Sequence, residues 1–173
     1  MFSTADMLAY TAAVFAYALA AVLYEVFFVS KDSRHSGLAN VSLTAGAALH
    51  GTAIVLRWLA LEQVALASLF EAMSFYVWAT VVVYLVVDRI YGLRALGAFL
   101  SPIAFFVAVS ALFHPSQIKP LEPVLQVGLL RTATHVFVSF FAFACFTLAF
   151  AAAVVYLLQE RGLKQKKAYA LLY

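Results

Sequence analysis

Five stretches of the chain, from about Met7 to Val29, Ala39 to Leu61, Leu66 to Val87, Leu96 to Phe113 and His135 to Leu158, are apolar almost without interruption. That pattern constrains the fold more than any other feature of the sequence. A segment of roughly 20 apolar residues crosses the hydrocarbon core of a bilayer as a helix, the one conformation that satisfies every backbone polar group from within the segment. Composition agrees: 66% of the 173 residues are hydrophobic and 11% are charged, whereas a soluble domain carries roughly 25% charged residues to cover its surface. The expected fold is all-α, a polytopic integral membrane bundle of about five transmembrane helices. Residues 1–173 read as a single transmembrane domain with one longer external loop, 115–134, that holds three of the four prolines. Pro102 falls inside the fourth span and predicts a kink there.

Orientation follows from the basic residues. Lys31, Arg34, Arg89, Arg94, Arg161, Lys164, Lys166 and Lys167 fall on one side, eight against the three at Arg57, Lys119 and Arg131. Because Lys and Arg are retained in the cytoplasm, the expected arrangement has the N-terminus outside and the C-terminus cytoplasmic. No basic residue precedes the first span, so it is expected to be retained as a helix rather than cleaved as a signal peptide. Tyr24, Trp58, Tyr91 and Tyr156 are expected at the membrane boundaries.

Ionisable residues within the spans cost several kcal/mol each, about 2.5 or more on insertion scales, and so each asks for a reason. His50 lies near the middle of the second span among the small residues Gly46, Ala47, Gly51 and Ala53, which leave room beside its imidazole. Either it donates a hydrogen bond in close helix packing, or it is an axial ligand to haem iron lodged between helices. Arg57 follows seven positions later, hence on the same helical face and roughly 10 Å along the axis. Glu71 enters the next span from the same side. The two form either a structural ion pair or a site in which Arg57 holds a haem propionate or another carboxylate. Glu25 reads as snorkelling or paired. His135 opens the fifth span ahead of Phe137, Phe140, Phe141, Phe143, Phe146 and Phe150. It is an interfacial polar residue, or else the imidazole of an external haem-docking face. His114 ends the fourth span on that side, and His35 is expected to be solvated.

The chemistry that is missing narrows the field. Cys145 is the single cysteine, which excludes an internal disulfide, a CxxC redox pair and a CxxCH haem attachment on this chain. There is no phosphate-binding glycine loop, zinc spacing or nucleophile elbow, and no catalytic residue is assigned. Neither an internal repeat nor paired broken helices point to a transporter. Nothing in the chain addresses nucleic acid.

The run Leu49-His50-Gly51-Thr52-Ala53-Ile54-Val55-Leu56-Arg57-Trp58, with Phe70-Glu71 thirteen residues after Arg57, resembles the second and third helices of the CcsA/ResC-type (System II) cytochrome c assembly proteins. Gly97-Ala98-Phe99-Leu100-Ser101-Pro102-Ile103-Ala104-Phe105 continues the match, as does Pro120-Leu121-Glu122-Pro123-Val124-Leu125-Gln126 leading to His135-Val136. Order and spacing agree over most of residues 40 to 160, and the likeness is to the N-terminal half of that family. What the resemblance implies is a haem-handling membrane subunit of cytochrome c maturation that carries or presents haem b to the external face for attachment to apocytochrome c. His50 would be a haem ligand within the membrane and His135 a ligand at the external site. The partner histidines and the tryptophan-rich segment that cradles external haem belong to the family's C-terminal half, so another membrane subunit or a longer chain is expected to supply them. Any enzymatic role would be as part of a holocytochrome c synthase, a haem lyase, completed in that way. The implied setting is membrane lipid, in the bacterial cytoplasmic (inner) membrane or the thylakoid membrane. Where the family has Gly-His-x-Pro ahead of its Tyr-Glu pair, this chain has Glu62-Gln63-Val64-Ala65, and Phe70 replaces the tyrosine. That difference motivates the alternative, a haem-free HemX-like scaffold or regulatory subunit of a larger complex.

Overall fold

The computed structural model describes residues 4–61, 68–114 and 129–164. Five helices follow one another: α1 (Thr4–Ser30), α2 (Ser33–Leu61), α3 (Leu69–Tyr91), α4 (Arg94–Ala111) and α5 (Leu129–Lys164). Each contains a span long and apolar enough to cross a membrane. The protein is a multi-pass membrane bundle, and no strand occurs among the described residues.

The helices extend past the apolar stretches that mark them. α2 begins at Ser33 rather than Ala39, and α5 begins at Leu129, so the last part of the expected loop 115–134 is helical. The reason is physical. Hydropathy reports the length of chain that sits in hydrocarbon, whereas helical hydrogen bonding continues through polar residues such as Arg34 and Arg131 in the headgroup layer, where side chains are solvated. Residues 115–128 of that loop lie outside the described residues. α4 runs on through Pro102, and Ser101 Oγ donates to Gly97 O at 2.6 Å in the turn just before it.

α1 packs along α2 and α4, α3 packs against α4 and α2, and the four close into a ring. α5 lies outside this ring against α3 and α4. Large apolar side chains on the outer faces, such as Phe15, Phe106 and Phe146, are exposed, which suits lipid as the surrounding solvent. The ring has two distinct ends, one near Arg57 and the starts of α1 and α3, the other near Arg89 and the start of α4.

The interior is organised by tyrosines. Tyr10, Tyr17 and Tyr24 recur every seven residues on α1 and are all buried, a spacing that keeps them on one helical face. Each hydroxyl finds a partner: Tyr10 donates to Ala108 O at 2.8 Å, Tyr17 reaches His50, and Tyr24 accepts from Tyr84 at 3.0 Å. Tyr24 is therefore a core residue, not the boundary residue expected from its place near the end of a span. A buried phenol needs a hydrogen-bond partner, and α3 supplies one inside the bundle. Tyr91 and Tyr156 are exposed.

Rings and a polar contact attach α5. Phe75 of α3 meets Phe137, Phe140 and Phe141 with centroids 5.0 to 6.1 Å apart, and Trp58 of α2 meets Phe137 at 5.6 Å. Thr147 gives its hydroxyl proton to Phe143 O at 2.9 Å, so Tyr76 is the donor in the 2.6 Å contact between their hydroxyls. These contacts put the N-terminal part of α5, with His135, at the Arg57 end.

Candidate functional site

His50 is completely buried on α2. Its Nδ1 is 3.1 Å from Tyr17 Oη on α1, and its Nε2 is 2.8 Å from Ser74 Oγ on α3. A neutral imidazole has one donor nitrogen and one acceptor nitrogen. The two bonds therefore run in the same sense, from Tyr17 through the ring to Ser74 or the reverse. Tyr10 closes a third side, its ring edge-on to the imidazole at 4.9 Å.

The small residues around His50 do leave space, and other rings fill it. A Cβ on Gly46 would lie 2.7 Å from the Tyr17 ring, and one on Gly51 would lie 3.0 Å from Trp78 Nε1. Gly46 thus admits the tyrosine that holds the imidazole. Gly51 admits the indole whose N–H donates to Ala47 O at 3.1 Å. The open volume expected beside His50 is taken up by Tyr17 and Trp78, because close approach at glycine is favourable wherever a large side chain can enter.

Two turns along the same face, Arg57 lies between two carboxylates. Its Nη2 is 2.8 Å and its Nε 2.9 Å from Glu71 Oε1, and its Nη1 is 3.2 Å from Asp6 Oδ2. All three side chains are buried. The guanidinium fork bridges two carboxylates in a planar geometry that an ammonium group could not match. Such a cluster tolerates burial because each charge has an opposite neighbour, and removing one member strands the rest. Asp6, Tyr17 and Ser74 escape a reading of the spans alone. The heptad spacing of the α1 tyrosines was the available signal for Tyr17, whereas a serine and an N-terminal aspartate give none.

A small cavity of about 20 Å³ adjoins Arg57, Tyr10, Trp58, Glu71 and Ser74. That holds about one water molecule. The imidazole of His50 is a suitable donor for haem iron, but among the described residues Tyr10, Tyr17 and Ser74 enclose it and leave no room beside it for a porphyrin. His135 differs in every respect. It is exposed on α5, one helical turn after the exposed Arg131, and two residues before Phe137, whose ring packs inward against Trp58 and Phe75. An accessible imidazole with a guanidinium four residues away on the same helical face suits an iron porphyrin bearing carboxylates. His114, at the end of α4, is half-buried, and Glu25 is exposed. Among the described residues no group of three or more His, Cys, Asp or Glu side chains is placed to hold a metal ion.

The family model described as Cytochrome C assembly protein matches residues 66–172. The chain belongs to the cytochrome c assembly family. Its similar proteins include the cytochrome c biogenesis protein CcsA of Synechocystis sp., 31% identical over 153 residues that make up 86% of this chain and 43% of that protein. The CcsA of Trichodesmium erythraeum is 30% identical over 112 residues, 62% of this chain and 31% of that one. Protein HemX of Brevibacillus brevis is 27% identical over 159 residues, 91% of this chain and 58% of its own. The chain spans less than half the length of these CcsA relatives and somewhat over half of HemX. No solved structure matches it. The family match takes in α3, α4 and α5, hence Glu71, Ser74 and His135, while the longer alignments extend over most of the bundle.

Proposed function

We propose that this protein is a haem-handling membrane subunit of cytochrome c maturation, and that it presents haem b at its Arg57 end for attachment to apocytochrome c. The single observation that carries the reading is His135, an exposed imidazole on α5 of a cytochrome c assembly protein, one helical turn from the exposed Arg131 on the same face. His135 would hold haem through its iron, the redox-active and ligand-accepting centre that haem supplies when bound, and another chain would complete the hold. Within this reading Arg131 is an added candidate for a propionate. His50 is the second proposed ligand, in a state where α2 and α3 have parted and Ser74 has left Nε2. Arg57 then has a carboxylate contact to offer only by exchanging one it already makes with Asp6 or Glu71. The Arg57 end is proposed to face outward and the Arg89 end the cytoplasm, on the strength of the basic-residue count. A second membrane subunit or further chain with a tryptophan-rich segment completes the site, in a bacterial cytoplasmic or thylakoid membrane.

The test is a haem absorption spectrum of the protein purified with its associated subunits. Bound haem that falls by more than half in His135→Ala supports the reading. Haem content unchanged by both His135→Ala and His50→Ala overturns it.

A second reading has its own observation. Because both nitrogens of His50 are occupied by Tyr17 and Ser74, the chain also suits a haem-free scaffold within a larger complex. That reading expects a stable complex with no haem after incubation with excess haem, and a haem-loaded wild type removes it.

A further inference from the structure

At the Arg89 end, α2 carries Ser36, Asn40 and Thr44 at spacings of four, which place them in one row along the helix. The row is cross-linked to two other helices. Asn40 Nδ2 donates to Asp88 Oδ2 on α3 at 2.9 Å, and Arg94 Nη1 at the start of α4 donates to Ser36 Oγ at 3.1 Å. Gly92, at φ 68, makes the left-handed turn that ends α3 and sends its N–H to Asp88 O at 2.8 Å, and this turns the chain back so that Arg94 reaches Ser36. Between α2 and α3 lies a groove of about 800 Å³. One end holds Asp88, Arg89 and Arg94, while Val82, Leu85 and Val86 form an apolar wall leading away along α3.

Asp88 is 9% exposed, and its Oδ1 is buried with no donor among the described residues. A carboxylate oxygen withdrawn from water and left without a donor costs free energy that a ligand N–H or O–H would recover. Arg89 and Arg94 beside it are exposed and offer the opposite chemistry, paired donors for a phosphate. A groove that asks for a cation or donor at one point and an anion at its rim, with an apolar wall running on toward the bilayer centre, matches one amphipathic molecule.

We propose that this groove binds a phospholipid whose headgroup carries both a phosphate and an ammonium, such as phosphatidylethanolamine. The ammonium pairs with the Asp88 carboxylate, Arg89 and Arg94 hold the phosphate, and an acyl chain lies along Val82 and Val86. Free phosphoethanolamine shares the headgroup chemistry but has no use for the apolar wall, so the two sources are separable. The site is independent of His50, Arg57 and His135, which cluster at or toward the opposite end.

Native mass spectrometry of the purified chain, titrated with equal amounts of phosphatidylethanolamine and phosphatidylglycerol, tests this. The wild type is expected to retain phosphatidylethanolamine at least five-fold better, roughly 1 kcal/mol by the tenfold-per-1.4 kcal/mol rule. Asp88→Asn preserves an acceptor for Asn40 and is expected to abolish the preference. Arg89→Gln with Arg94→Gln is expected to weaken retention of both lipids. Val86→Trp fills the apolar wall without touching the polar cluster and should exclude the lipid even if Asp88→Asn fails to fold. Equal retention of the two lipids by the wild type, an unchanged preference in Asp88→Asn, or displacement of bound lipid by millimolar phosphoethanolamine would each overturn the proposal.

Discussion

His50 Nε2 and Ser74 Oγ stand 2.8 Å apart, and their contact fastens α2 to α3 at the level of the buried imidazole. Tyr17 holds the other nitrogen, so the ring is fixed in position by one neighbour on each side. Any role that needs Nε2 must first remove Ser74.

Ser74→Ala frees that nitrogen. A buried bond of this kind in a membrane bundle contributes about 0.6 kcal/mol and up to about 1.7, so a modest fall in thermal midpoint in detergent is expected. Haem content per chain should rise above wild type if His50 is a ligand. A fall in haem together with unchanged stability would contradict both the latch and the ligand.

Arg57→Ala leaves Asp6 and Glu71 buried without their cation, which is expected to cost about 3 to 5 kcal/mol. Combining Arg57→Met with Asp6→Asn and Glu71→Gln removes every formal charge and should restore most of that loss. Thermal unfolding in a single detergent compares the two. If the single variant is as stable as the triple one, the cluster does not hold the helices together.

At Gly46 an added methyl would meet the Tyr17 ring at 2.7 Å. Overpacking of this kind costs about 1 to 3 kcal/mol, and here it displaces the residue that orients His50. Gly46→Ala is therefore expected to destabilise the bundle and shift the His50 imidazole resonances in the NMR spectrum. Gly37→Ala, where nothing lies within 4 Å of the new methyl, is the matched control. Equal effects at the two glycines, where the gain in helix propensity is shared, would mean that the Tyr17 contact adds no cost at Gly46.

Orientation is open to chemical labelling. With the exposed Cys145 replaced by serine, Thr4→Cys should react with a membrane-impermeant maleimide added to intact cells, and Ser33→Cys should react only after permeabilisation. The reverse pattern would turn the bundle over and make the Arg57 end cytoplasmic.

The number and kind of elements were legible in the sequence because hydrophobic length is a local property: a run of apolar residues declares a span without reference to its neighbours. His50 and Arg57 stood out for the related reason that an ionisable group in hydrocarbon is conspicuous by its cost. Their partners were not conspicuous. Tyr17, Ser74 and Asp6 come from other helices; only the heptad spacing on α1 hints at Tyr17, and nothing local marks Ser74 or Asp6 as members of a site.

Sequence alone determined the solvent, the all-helical architecture, the five spans and two residues that needed company. Tertiary structure decided who kept that company: that Gly46 admits Tyr17, that α3 closes on His50 through Ser74, and that Arg57 shares itself between two carboxylates. The division is physical. Transfer of a segment into lipid is a sum over its own residues, whereas burial of a polar side chain is settled by whichever helix face can bring a matching donor or acceptor within about 3 Å, and that depends on how the helices pack.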